Sequence, residues 1–361
     1  MSAFGSDFTV GIEEELLLVD ETTFALAPVT DELLDAMRVE PRFAGHDAYA
    51  AQIELRSAPS ASVADAVDSL AGLRTAAIRA GGTLLGTGVH PAGRFGEAAL
   101  VEGRRYELVA DQLRGLLRRT PESALHVHIG LPDERAAVRA FNALRLQVPL
   151  LLGLAANSPF WFGADSGLQS GRYALSRAYP GRCIPRAVRD LDDLEELAGE
   201  TLAAAGLPDP TYLWWDLRIH PRYGTLELRE MDTQASLEHV AGIAAFARAL
   251  VLEAVESDAA APVPSEALGW AAFRAARDGR AATIPDRGAT RPLVEVARDT
   301  VRRIRPIARD TGDDDALDGI EAILRSGGAA RQRAAFARGG MDEVLRGLVR
   351  DTAATGVPAA R

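Results

Sequence analysis

The chain has 361 residues, 47% of them apolar, and a formal charge of −11. That is enough for one large domain or two ordinary ones with a substantial core, and the negative balance argues against a nucleic-acid partner held on a broad basic face. All 40 Lys/Arg positions are arginine, so a Walker-type phosphate loop, which needs Gly-Lys-Ser/Thr, is excluded.

Any phosphate or carboxylate must therefore be held by arginine, backbone N–H groups or a metal. Cys183 is the one cysteine, which forbids an intramolecular disulfide and fits a reducing compartment. No basic segment followed by an apolar run opens the chain, so no secretion signal is expected and a cytoplasmic location is. The most apolar stretch, Leu146 to Phe162, is interrupted by Pro149, Asn157, Ser158 and Pro159 and predicts a buried helix running into a loop, with no membrane span.

Thr9 to Asp20 predicts a strand, with Glu13 and Glu15 on one face and Glu14 on the other. Two carboxylates side by side on one face are either well hydrated or share a cation. Asp31–Met37 predicts a short helix. Asp47 precedes a strand over Ala48–Ser57 that carries Gln52, Glu54 and Arg56 on one face. Ser62–Ala80 predicts a helix N-capped by Ser62 and stopped at Gly81-Gly82. Thr83–Val89 predicts a third strand; its Gly86 and Gly88 resemble half a dinucleotide fingerprint, but no helix opens on them.

Arg104–Arg119 predicts a helix, and Ser123–Gly130 a strand with His126 and His128 on one face. Asp133–Ala156 predicts a long helix bent at Pro149. Asn157–Pro185 is loop-rich and long enough to suggest function, a lid being one candidate. Leu191–Ala205 predicts a surface helix. Tyr212–Pro221 and Gly224–Asp232 predict a hairpin, with Asp216 and Arg218 sharing a face of its first strand and Thr225, Glu227 and Arg229 a face of its second. The remainder predicts helices over Ser236–Glu256, Glu266–Asp278, Pro292–Ala308, Asp314–Arg325 and Ala329 to about Arg350. No repeat or long linker interrupts the chain, so residues 1–361 are read as one domain.

Each strand thus pairs an apolar face with a polar one. A solvated antiparallel sheet does this routinely, and for any single pair that is the better reading. Collectively, four glutamates, two histidines and three arginines without the usual Thr/Ser filler point to a divalent-metal site. Oxygen-rich ligation suits Mg²⁺ or Mn²⁺, and the arginines suit an anionic substrate such as a nucleotide or an acidic amino acid. Two rivals stand beside this. His126-x-His128 resembles half a zinc-hydrolase site but lacks an obvious third His or Cys ligand. Cys183 could be a nucleophile but has no evident base.

Gly11-Ile12-Glu13-x-Glu15, Gln52-Ile53-Glu54, Gly88-Val89-His90-Pro91, Leu125-His126-Val127-His128-Ile129-Gly130, Ala156-Asn157-Ser158-Pro159-Phe160-Trp161, Trp215-Asp216-Leu217-Arg218 and Gly224-Thr225-Leu226-Glu227-Leu228-Arg229-x-Met231-Asp232 occur in this order. Together, with the Arg291-Pro292-Leu293 stretch and the Arg-rich helix after it, they resemble the bacterial carboxylate–amine ligases of the glutamate–cysteine ligase type 2 family over essentially the whole chain. The resemblance implies an α+β fold: a curved, mainly antiparallel sheet of about six strands with helices on its outer face, related to glutamine synthetase.

It also implies ATP and Mg²⁺ (or Mn²⁺) as cofactors, and a reaction in which the γ-phosphoryl group passes to a substrate carboxylate and an amine attacks the acyl phosphate. By the same resemblance, Glu13, Glu15, Glu54, Glu227, His126 and Asp47 are expected metal ligands. Arg229, with Glu227 and Arg218, is expected to act on the transferring phosphate and substrate. His128, Arg172 and Arg56 are expected around the nucleotide. The implied partners are small molecules (an acidic amino acid, an amine and ATP), with no nucleic acid or membrane; homo-oligomerisation is left open. Relatives often carry Glu or Gln at the position of Ala50, and Arg-Pro-Ser where this chain reads Arg218-Ile219-His220. Both departures could change the donor or the amine, and the first leaves open a fold that binds without turnover.

Overall fold

The computed structural model describes residues 4–257 and 263–356. Its frame is a seven-stranded sheet: β1 (Val10–Leu18), β2 (Ala44–His46), β3 (Gln52–Arg56), β4 (Leu84–Leu85), β5 (Ala124–Gly130) and, after a two-stranded hairpin of β6 (Phe160–Trp161) and β7 (Ala164–Asp165), β8 (Leu217–His220) and β9 (Thr225–Asp232). A second hairpin, β10 (Thr283–Asp286) with β11 (Ala289–Pro292), lies outside it. The order is β2-β3-β1-β5-β9-β8, with β4 on β1 where β5 ends, and every pairing is antiparallel. Of the expected strands, those over 9–20, 123–130 and 224–232 form nearly as read.

The apolar residues of these strands fix which face is covered. Val10, Ile12, Leu16, Ile53, Leu55, Leu125, Val127, Ile129, Leu217, Leu226 and Leu228 are buried in one core with the helices Val63–Arg79, Glu134–Arg145 and Leu237–Glu256. Side chains two apart share a face, so the polar residues between them take the opposite side. Glu14 is the exception that sits on the helix side. It is fully buried, and Arg74 of the helix Val63–Arg79 grips it twice, Nε to Oε1 at 2.7 Å and Nη2 to Oε2 at 2.6 Å. The same guanidinium donates to the carbonyls of Gln234, Ala235 and Thr352 at 2.9, 2.7 and 3.3 Å.

Several expectations need correction. The strand expected over Ala48–Ser57 begins only at Gln52, because residues 47–51 turn away; Ala44–His46 supplies the edge strand instead. The strand expected over Thr83–Val89 shrinks to Leu84–Leu85. Beyond it the chain runs tight against the end of β9, where a Cβ on Gly88 would lie 2.6 Å from Asp232 Cγ and one on Gly86 2.8 Å from the Gln234 carbonyl. Those glycines serve close approach, and no helix follows them to cradle a phosphate. The strand over Tyr212–Pro221 reduces to Leu217–His220, so Asp216 falls before it, and its carboxylate is taken by Arg177 at 2.6 Å.

The long helix is two, Glu134–Arg145 and Val148–Ala155, and Pro149 sits in the first turn of the second, where its missing N–H costs nothing. The expected C-terminal helix runs Gly328–Ala353 with a break at Gly339–Gly340. The Asn157–Pro185 segment is not a free lid along its length. Asp232 accepts from Asn157 N (2.8 Å), Ser158 Oγ (2.7 Å) and Ser170 Oγ (2.9 Å), and the short helix Gly171–Ser176 follows. No helix of the described residues is long and apolar enough to cross a membrane.

Candidate active site

The strand register brings the polar residues into cross-strand contact. Glu13 lies opposite Arg56 of β3 on one side and His126 of β5 on the other; Glu15 lies opposite Glu54; His128 and Arg218 both lie opposite Glu227. Two groups of three result in which one ligand atom per residue falls within 4.8 Å of the others: Glu13, Glu54 and His126, and Glu13, His128 and Glu227. Glu13 belongs to both. The donor set is carboxylate oxygen plus imidazole nitrogen, which could hold a divalent cation; its carboxylates suit Mg²⁺ or Mn²⁺ and its imidazoles a transition metal.

The arginines are already engaged with these carboxylates. Arg218 Nε and Nη2 both lie 2.8 Å from Glu227 Oε2, and Arg229 bonds Glu227 Oε1. Arg56 Nε donates to Glu54 Oε2 at 2.8 Å. Any cation bound by Glu54 or Glu227 would therefore share them with a guanidinium. Glu15 stands just outside the two groups: its Oε2 takes Ala124 N–H at 2.6 Å and Gln52 Nε2 at 3.3 Å, while Oε1 is 3.7 Å from His126 Nε2. Asp47 is also outside them, near enough to Glu15 and Glu54 to raise both their pKa values.

Electrostatics sort these groups. Burial, then Glu13, pushes Glu54 up to about 7 against the pull of Arg56. Burial and then Asp47 raise Glu15, and burial raises Asp47 itself. Burial works to raise Glu13 and Glu227 too, but His128 and His126 carry Glu13 well below the usual carboxylate range, and Arg229, His128 and Arg218 do the same to Glu227. Burial and Arg229 hold His126 down at about 4, leaving a neutral imidazole. Burial works to lower His128, but Glu227 and Glu13 outweigh it and its pKa is raised.

A β-bulge shapes the far end of this face. Leu125 pairs with Met231 but Val127 with Leu228, so Arg229 and Glu230 together face the single residue His126. The extra residue keeps Arg229 on the polar side while Met231 returns to the core. Glu230 is left fully buried with one oxygen unpartnered, and burial, then Asp216, lifts its pKa to about 8.

Of the residues expected at the site, Glu13, Glu54, Glu227, His126, His128, Arg56, Arg218 and Arg229 come together, with Glu15 and Asp47 beside them. Arg172 stands at the edge of this face, lining a cavity with Glu15, Asp47, His126 and Arg229. It is buried and donates to the carbonyls of Glu230 (3.0 Å) and Arg229 (3.2 Å), so most of its fork supports the bulge. Sequence reasoning assigned no role to Glu122, Tyr179 or Arg182, which line a cavity of about 110 Å³ beside Glu15, Asp47 and Arg229. Arg182 was visible only as one of several arginines in a long loop, and Glu122 as a lone acid before a strand; neither has periodic company to mark it.

The model of glutamate–cysteine ligase family 2 matches residues 9–351. A Rubrobacter xylanophilus protein provisionally named glutamate–cysteine ligase 2-3 is 35% identical, covering 96% of this chain and 97% of its own. A Natronomonas pharaonis protein named glutamate–cysteine ligase is 30% identical over 96% of each. Among solved structures, Francisella tularensis glutamate–cysteine ligase in complex with AMP superposes with a TM-score of 0.68 at 14% identity, over 99% of this chain and 91% of that one. This likeness establishes the fold: a mainly antiparallel sheet backed by helices, as the α+β expectation had it.

Proposed function

Because the chain belongs to glutamate–cysteine ligase family 2, we propose that it is an ATP- and Mg²⁺-dependent carboxylate–amine ligase that activates a glutamate-like carboxylate as an acyl phosphate and transfers it to an amine, releasing ADP and phosphate. The observation that carries this reading is the pair of ligand groups sharing Glu13, flanked by Arg56, Arg218 and Arg229 on one face of the sheet.

The chemical obstacle is repulsion between a triphosphate and an attacking carboxylate. Glu13, Glu54, Glu227, His126 and His128 would hold divalent cations, with Glu15 and Asp47 in support. A cation bound there supplies positive charge between the two anions. Arg229 presents a rigid fork where charge grows on the transferring phosphoryl group, and its bond to Glu227 fixes its direction in advance. Arg218 acts beside it on substrate, and Arg56, His128 and Arg172 border the nucleotide. In the first step a carboxylate oxygen bonds the γ-phosphorus and the bond to ADP breaks. In the second, the substrate ammonium gives one proton to solvent, its nitrogen bonds the acyl carbon, the acyl carbon–oxygen bond to phosphate breaks, and the second N–H proton leaves with the phosphate. Because Glu13, Glu15, Glu54, Arg56, His126, His128, Arg218, Glu227 and Arg229 stand on paired strands, most of the site is formed before substrate arrives.

The test is ADP formation from Mg-ATP and L-glutamate across a panel of amines that includes L-cysteine, with product mass read in the same samples. ADP together with a γ-glutamyl amide supports the reading, whichever amine succeeds. The departures at Ala50 and Ile219-His220 make an amine other than cysteine a specific outcome to look for. ADP-free incubations across all amines and acidic donors, in protein that still binds ATP, would reject catalysis.

A further inference from the structure

The C-terminal helix Gly328–Ala353 is broken at Gly339–Gly340, and Gly340 takes a φ of +70°, which a side chain would strain. In an unbroken helix Arg331 and Asp351 would stand roughly 30 Å apart. Here they form an ion pair, so the second half folds back on the first. The two halves and the start of the helix Leu237–Glu256 border a cavity of about 300 Å³. Gln234 and Ala235 also line it, and their carbonyls are held by Arg74 on the helix-covered side of β1. The cavity therefore lies behind the sheet, away from the metal-ligand groups.

Its lining is cationic in a chain that carries −11 overall. Arg331, Arg338 and Arg350 border it against one acid, Asp351. Arg331 and Arg350 share that carboxylate, and Arg338 meets Glu343 only at 3.7 Å. Two helices also begin here, and Ser236 and Gly328 at their starts belong to the lining. Neither has a side-chain cap, so their first N–H groups present the positive ends of the helix dipoles. Glu238, the acid in the first turn of one of them, does not line the cavity.

His239 distinguishes this place from an ordinary basic cleft. It stands in the first turn of the helix Leu237–Glu256, lines the cavity and is only 4% exposed. Neither of its ring nitrogens has a hydrogen-bond partner among the described residues. Burial and then Arg331 hold its pKa down at about 4, so the ring is neutral and has one N–H to give. A buried donor without a partner is costly, and an oxyanion in the cavity removes that cost.

We propose that this cavity binds a phosphate dianion, free or carried by a phosphomonoester, with its oxygens on Arg331, Arg338 and Arg350 and on the N–H of His239. Two negative charges on one small tetrahedral group suit several converging guanidinium donors better than the single charge of a carboxylate. The site stands apart from the polar face, so its occupancy does not depend on the ligase reading.

The experiment is calorimetric titration of the full chain with inorganic phosphate, glycerol 3-phosphate and acetate. EDTA is present and nucleotide is absent, so that no metal draws phosphate to the polar face. Wild type is expected to bind phosphate saturably and at least about tenfold tighter than acetate. Arg338→Gln with Arg350→Gln, both largely exposed positions, should weaken phosphate roughly tenfold at unchanged Tm, and lysine at the same two positions should restore most of it. The His239 ring protons, identified by their loss in His239→Gln, should shift in the proton NMR spectrum as phosphate is added. Glycerol 3-phosphate binding as tightly as phosphate, or more tightly, identifies a phosphomonoester as the occupant; binding about tenfold weaker identifies the free ion.

No saturable heat with phosphate, phosphate no tighter than acetate, or a His239 signal that phosphate leaves in place overturns the assignment. Binding that survives the double arginine variant and is lost in Arg229→Gln overturns it too, and puts the phosphate on the polar face.

Discussion

Glu13, Glu14 and Glu15 are consecutive, yet substituting the middle one should fail in a different way from its neighbours. Glu14 and Arg74 are both fully buried and joined by two hydrogen bonds of 2.6 and 2.7 Å. Glu14→Gln leaves the Arg74 guanidinium in the core without its anion, a loss of about 3–5 kcal/mol for breaking a buried pair from one side. At about 2.1 cal/mol/K per residue, a chain of 361 residues unfolds with an entropy of about 0.76 kcal/mol/K. The expected fall in Tm is therefore about 4–7 °C, read by circular dichroism or calorimetry. The double variant Glu14→Met with Arg74→Met removes both charges but also the bonds to the carbonyls of Gln234, Ala235 and Thr352, so it should recover only part of it. Glu13→Gln, whose nearest partners are histidines at 3.4–3.5 Å on the partly exposed polar face, should move Tm by less than about 2 °C while abolishing ADP formation. A Glu14→Gln protein melting within 1 °C of wild type, or a double variant as unstable as the single, would refute the argument.

Three further outcomes are expected. Stripping divalent metal with EDTA should abolish ADP formation, and Mn²⁺ as well as Mg²⁺ should restore it; full activity in metal-free buffer would remove the role given to Glu13, Glu54 and Glu227. Glu230 carries a folded pKa near 8 against an ordinary value of 4.5, so the native state binds the extra proton in between and its contribution to stability is lost as pH rises from about 4.5 to 8. Glu230→Gln should gain Tm over wild type progressively across that window, by several degrees at its upper end, and a difference constant with pH would count against the assignment. Gly88→Ala would set a methyl 2.6 Å from Asp232 Cγ, so it should cost a few kcal/mol and release the Asn157–Ser170 anchor, read as faster proteolysis between residues 157 and 176.

Much of this was legible because strand alternation is a strong local signal. Glu13/Glu15, Gln52/Glu54/Arg56, His126/His128 and Thr225/Glu227/Arg229 each declare a face without reference to any other strand, and the structure aligns those faces. Features set by distant segments were not legible. The three-residue edge strand Ala44–His46 exists only because β3 is there to pair with it. Thr83–Val89 carries a good strand composition, yet close contact with Asp232 and Gln234 takes its C-terminal half out of the sheet. The carbonyls that hold the Nη atoms of Arg172, 57 and 58 residues away, could not be read from its loop. The bulge at Arg229-Glu230 leaves no trace in composition. Arg182 and Glu122 border one cavity only because the Asn157–Pro185 segment returns to the start of β5.

The cross-strand register of the polar face also bears on how the chain finds its fold. Side chains alternate with a period of two, so a slip of one residue along β1, β5 or β9 would drive Glu13, Glu15, His126, His128 or Glu227 into the helix-covered core and bring Ile12, Val127 or Leu228 to the open face. Several buried charges would then lose their partners at once. The residues that make the site demanding to hold together thereby penalise every shifted pairing of the central strands. Replacing them with apolar residues could raise the stability of the sheet while weakening the choice of which sheet forms.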